Sequence, residues 1–182
     1  NRIKLVLTVP KAVTGTCPAV VVIAGHSGTR HSCYQDRGFA TLLAEKGYVT
    51  ISTRISQHSV REQQRTMMGE RLWDLMRCVD LLVTRREVDP ARIGCAGNSL
   101  GGEMAMWLAA MDERIAATMS AGFLTSMDQL EENHCRCWKF PGLRELVEFS
   151  DIYALTAPRP LMCQNGLQER PTWFTVPLAR EA

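Results

Sequence analysis

Apolar positions recur along this chain with two periods, two residues and three to four residues, and the stretches take turns. Ile3 to Val9 alternates with period two, the pattern of a half-buried strand. Pro10 to Pro18 holds Gly15 between two prolines and reads as a turn. Ala19 to Ala24 is continuously apolar and mostly β-branched, as a strand covered on both faces should be, and Gly25-His26-Ser27-Gly28 ends it. Gly38 to Lys46 is helical, with Phe39, Leu42 and Leu43 on one face and Gly47 as its stop. Tyr48 to Ser52 is the next strand, and the polar stretch Arg54 to Arg65 crosses the surface. A long helix runs from about Met68 to Arg86, where Leu72, Leu75, Met76, Val79, Leu82 and Val83 make one apolar stripe. Asp89-Pro90 closes it.

Arg92 to Ala96 is a short strand, Leu100 to Met111 a helix, and Ile115 to Met119 a further strand. Ser126-Met127-Asp128-Gln129 has the spacing of a capping box. Residues 133–143 are irregular. Asp151 to Leu155 is a short helix with Asp151 as its N-cap, and Pro160 to Gln164 is the last strand. Strands alternating with helices predict one α/β domain over 1–182, a mostly parallel sheet in a three-layer arrangement.

The chemistry concentrates at Gly97-Asn98-Ser99-Leu100-Gly101, placed where a strand gives way to a helix. Gly-x-Ser-x-Gly in that setting is the nucleophile elbow of the α/β-hydrolases, a tight turn that lifts the serine Oγ above the sheet. Ser99 is therefore the candidate nucleophile. An oxyanion hole needs backbone N–H groups aimed at the developing negative charge. Leu100, at the start of the helix, and His26 or Ser27, in the loop after the Ile23 strand, are the candidate donors.

Composition narrows the picture. A net charge of +2 gives no field that calls for nucleic acid or a membrane surface, and no apolar run approaches a bilayer span. Arg61 to Arg65 has no interleaved aromatics and reads as a solvated face. Seven cysteines, an odd number with Cys78, Cys95 and Cys163 inside apolar runs, favour buried thiols, a reducing compartment and a cytoplasmic location. His134-Cys135-Arg136-Cys137 is the one close cluster of metal-type side chains. Without a second ligand pair at zinc spacing, no metal is expected. The chain begins Asn1-Arg2-Ile3, with neither a signal peptide nor an initiating Met, which reads as a processed or fragmentary product.

Two landmarks resemble a known family. Asp89-Pro90-Ala91-Arg92-Ile93-Gly94 leading into Gly97-Asn98-Ser99-Leu100-Gly101-Gly102 is similar to the dienelactone hydrolase and acetyl xylan esterase-like branch of the α/β-hydrolases. Ala154-Leu155-Thr156-Ala157-Pro158-Arg159-Pro160-Leu161 followed by Asn165-Gly166 resembles that branch's entry into the strand carrying the acid. The similarity spans about Val20 to Glu169. It implies a serine hydrolase acting on small carboxylic esters, with neither metal nor organic cofactor. Where the family has Asp after Asn-Gly, this chain has Gln168-Glu169, so Glu169 is the candidate acid.

The family order is Ser, acid, His, and no histidine follows Glu169. The domain is accordingly expected to be incomplete at its C-terminal edge, with little triad catalysis. His26 is expected to be structural, while His31 and His58 fall in polar loops and His134 follows the Ile115 strand. Trp107 and Trp138 are read as packing residues rather than pocket walls. Two functions stay open: a serine esterase, or a hydrolase-fold binding module that has lost its base. An open sheet edge would also invite pairing with a second copy, which could complete the sheet or supply the base.

Overall fold

The computed structural model describes residues 2–11, 14–36, 38–55, 60, 64–132 and 134–168. The elements run β1 (Leu5–Thr8), β2 (Cys17–Ile23), α1 (Phe39–Glu45), β3 (Val49–Thr53), α2 (Met67–Val83), β4 (Val88–Asn98), α3 (Leu100–Met111), β5 (Ile115–Ala121), α4 (Met127–Glu131), α5 (Leu143–Leu146), α6 (Phe149–Ala154) and β6 (Leu161–Gln164). They form a six-stranded sheet in the order β1-β3-β2-β4-β5-β6. Only β1 is antiparallel to its neighbour. This is the mostly parallel α/β sheet that the alternation of periods predicts.

The unbroken apolar run of β2 has the expected reason. Ala19, Val21 and Ile23 point into a core shared with α2 and α3, while Val22 and Ala24 pack with Ala40 on the α1 side. Helices on both faces leave no side of a central strand for water. The stripe of α2 delivers Leu75, Val79 and Leu82 to that core, all fully buried, whereas Val83 at its end is exposed. Thr66 caps the helix by accepting the Gly69 N–H at 3.0 Å.

Two boundaries differ from expectation. Helix α2 ends at Val83, and Asp89-Pro90 lies inside β4 instead of closing the helix. Cys17 pairs with Val88 and Ala19 with Ile93, so the intervening residues of β4 bulge out of the ladder. Pro90 has no N–H to offer that ladder, and Ala91 N–H turns to Asp89 Oδ1 instead. Asp151 is not an N-cap either. Glu148 holds that place, and Asp151 Oδ2 accepts the Glu148 N–H as the return bond of a capping box. The box at Ser126 and Gln129 is present as expected.

Residues 122–154 pack a second core on the far side of α3. Met106 meets Phe123, Met127, Leu130, Trp138, Phe149 and Tyr153, with Phe149 against Phe123 and Trp138 at centroid distances of 5.0 and 5.5 Å. Trp138 and the half-buried Trp107 are packing residues. All seven cysteines are free thiols, and Cys163 on the outer strand β6 is half-buried rather than core.

Candidate active site

Ser99 is the single residue between β4 and α3, with φ +58° and ψ −122°. Positive φ in a serine is strained by roughly 1–3 kcal/mol, so the surroundings must impose it. They do so by close backbone approach. A methyl group on Gly97 would lie 2.2 Å from the Gly101 carbonyl oxygen, and one on Gly101 would lie 2.1 Å from the Ile23 carbonyl oxygen. The two glycines let strand, turn and helix fold onto β2. Ser99 N–H then donates to the Ala121 carbonyl at 2.8 Å, and its own carbonyl accepts Glu103 N–H at 3.0 Å.

Both candidate oxyanion donors stand beside this turn. Leu100 is the first residue of α3, where backbone N–H groups have no intrahelical acceptor. Residues 25–28 form a turn closed by Gly28 N–H donating to the Gly25 carbonyl at 3.0 Å, with Ser27 at φ +59°. A Cβ on Gly25 would stand 3.0 Å from the Asn98 carbonyl oxygen and 3.4 Å from Ser99 Cβ, so this loop abuts the serine. A cleft of about 370 Å³ opens at the carboxyl ends of β4, β5 and β6, lined by Asn98, Met119, Gly122, Gln164 and Gly166 among others.

The Asn165-Gly166 landmark has a structural task. Asn165 Nδ2 donates to the Leu124 carbonyl at 3.0 Å and its Oδ1 accepts Leu124 N–H at 3.2 Å. Gly122 N–H donates to the Gln164 carbonyl at 2.6 Å. These bonds bring the turn after β6 to the Ser99 side of the sheet. Glu169, the candidate acid, lies outside the described residues, as does His58.

The remaining histidines have other neighbours. His31 sits in an exposed turn. His134 Nδ1 lies 3.0 Å from the Cys135 carbonyl. His26 Nε2 lies 3.0 Å from Cys137 Sγ, and burial pushes that thiol up to about 12. The sequence cluster at 134–137 thus acquires a partner from the loop beside Ser99, which local spacing could not reveal.

Sequence reading also missed a buried ionisable pair. Glu103, in the first turn of α3, and Arg71, on α2, are both buried. Burial raises the Glu103 carboxyl to about 8 against the opposing pull of Arg71. Arg71 Nη1 donates to the Cys137 carbonyl at 3.2 Å. The available signal was a Glu four residues after Ser99 on an otherwise apolar helix, Leu100 to Met111.

The parallel sheet, its helices on both faces and the strand–serine–helix junction define the α/β-hydrolase class. The dienelactone hydrolase family profile matches residues 3–135. The chain belongs to the dienelactone hydrolase family. YtaP of Bacillus subtilis (strain 168), provisionally assigned as a hydrolase, is 28% identical over 198 residues, a match covering 90% of this chain and 64% of that protein. A protein of Bacteroides fragilis NCTC 9343, provisionally assigned as an acetyl xylan esterase, superposes with TM-score 0.75 at 19% identity, over 91% of this chain and 56% of that one. A carbohydrate esterase family 15 glucuronoyl esterase of Caldicellulosiruptor kristjansonii gives TM-score 0.70 at 19% identity, over 94% and 59%. The chain therefore spans a little under two thirds of the length of these relatives.

Proposed function

We propose that the protein is a serine ester hydrolase acting through an acyl-enzyme on Ser99. The observation that carries this reading is the junction itself: a serine held at φ +58° between strand and helix, with Leu100 N–H and the 25–28 loop on either side. In that reading the turn is a nucleophile elbow. Ser99 Oγ attacks the ester carbonyl, the carbonyl oxygen takes the electron pair, and the N–H groups of Leu100 and of His26 or Ser27 hold the resulting oxyanion. Expulsion of the alcohol leaves the acyl group on Ser99, and water releases it.

Glu169 is the proposed acid, orienting an imidazole that follows it in the order Ser, acid, His. Residues 170–182 contain no histidine, so we expect this 182-residue chain to take up acyl groups from activated esters more readily than it turns them over. Oxyanion donors and binding alone can retain roughly 10³–10⁴-fold over water. The cleft of about 370 Å³ suits a small acyl group, and the carbohydrate esterase neighbours support esters carried on sugars.

A second reading, a hydrolase-fold binding module, draws on the placement of His26 and His134 against Cys137 and Cys135. Release of p-nitrophenol from p-nitrophenyl acetate separates the two. An esterase loses most of its rate above background in Ser99→Ala, whereas a binding module gives the same rate with either chain.

A further inference from the structure

Three side chains able to ligate a metal converge next to the candidate active site. His26 arrives on the loop after β2, and Cys135 and Cys137 on the stretch between α4 and α5. One imidazole nitrogen and the two sulfurs all lie within 4.8 Å of one another. His26 Nε2 and Cys137 Sγ, 111 positions apart in sequence, are at 3.0 Å.

The cluster is held from behind. Arg71 Nη1 bonds the Cys137 carbonyl at 3.2 Å, and the neighbouring Trp138 is buried against Phe149. Cys137 is buried, His26 is half-buried and Cys135 is exposed, which leaves an entry path for an ion.

Ligand chemistry selects the ion. Two sulfurs and an imidazole suit a borderline-soft cation and are poor partners for calcium or magnesium. A tetrahedral zinc with bonds of about 2.3 Å to sulfur and about 2.0 Å to nitrogen separates its sulfurs by about 3.8 Å and sulfur from nitrogen by about 3.5 Å. Adjustments of an ångström or less in a loop with an exposed cysteine reach that geometry. Two thiolates neutralise the dication.

We propose that His26, Cys135 and Cys137 form a zinc-class site, with solvent in the fourth position. Binding releases the two thiol protons to solvent and changes no oxidation state. The ion ties the 25–28 loop to the 122–154 segment. If that loop supplies an oxyanion donor, as the proposed function holds, the ion is a positioning element for it.

The test titrates the reduced, metal-free 182-residue chain with Co²⁺ and then displaces it with Zn²⁺. The expected result is a thiolate-to-cobalt charge-transfer absorption that saturates at one equivalent and disappears as zinc enters. Cys135→Ser, at an exposed position that leaves the core intact, should weaken cobalt binding at least about 100-fold. His26→Ala should do the same, and the surface control His31→Ala should not. Absence of the band, a band unchanged in Cys135→Ser, or recovery of a Cys135–Cys137 disulfide in place of metal binding overturns the proposal. None of these readouts depends on Ser99, so failure here is distinguishable from failure of the esterase reading.

Discussion

Ser99 carries a conformational cost that its neighbours enforce. A glycine tolerates φ +58° without strain, so Ser99→Gly should raise stability by about 1 kcal/mol in urea unfolding even as it removes the proposed nucleophile. An unchanged or lowered stability would mean that φ +58° costs the serine nothing there. Glu103 makes a second prediction at this scale. Burial raises its carboxyl from 4.5 to about 8, with Arg71 opposing and the buried Cys137 thiol close by. Between those values the native state keeps a proton that the unfolded chain releases. Stability should therefore fall as pH rises through that window, by at most about 1.4 kcal/mol per unit. Glu103→Gln should flatten that slope when unfolding is followed at several pH values, and an unchanged slope would remove Glu103 as its source.

At the scale of elements, the landmark residues hold segments together. Arg159, in the Ala-Pro-Arg-Pro stretch, donates to the carbonyls of Ala109 at 2.7 Å, Ile115 at 2.9 Å, and Asp112 and Leu155 at 3.2 Å. It closes the carboxyl end of α3, where orphan carbonyls and the helix dipole favour a cation. Arg159→Met should cost about 2–3 kcal/mol and lower the melting temperature by roughly 4–10 °C in calorimetry. A shift under a degree would make these bonds incidental. The strands and helices were legible because each buries one face or two, and that writes a period into the sequence. Boundaries were less so: Asp89-Pro90 looks like a stop locally, yet the ladder with β2 accommodates it as a bulge. Glu148 and Asp151 exchange capping roles because the first of them also accepts Met127 N–H at 2.8 Å, a contact no local pattern encodes.

At the scale of the whole molecule, the sheet brings distant stretches to one rim. Ser99, the 25–28 loop and the turn held by Asn165 all sit at the carboxyl ends of parallel strands, where open α/β sheets place their ligands. The Ser99 turn was readable because its whole signature lies within five residues. The joining of His26 to Cys137 and the pairing of Arg71 with Glu103 were not, since each needs the fold to close long separations. The family profile ends at residue 135, so the Arg159 and Asn165 landmarks fall beyond it, though within a chain that aligns over 90% of its length with the Bacillus relative.

The central claim is that Ser99 takes the acyl group. The most direct measurement is peptide mapping by mass spectrometry after a timed exposure to p-nitrophenyl acetate, with Ser99→Ala alongside. The account predicts an acetyl group on the peptide carrying Ser99, accumulating with the release of p-nitrophenol and missing from the variant. Acetylation spread over lysines and cysteines to the same extent in both chains, with Ser99 unmodified, would contradict it.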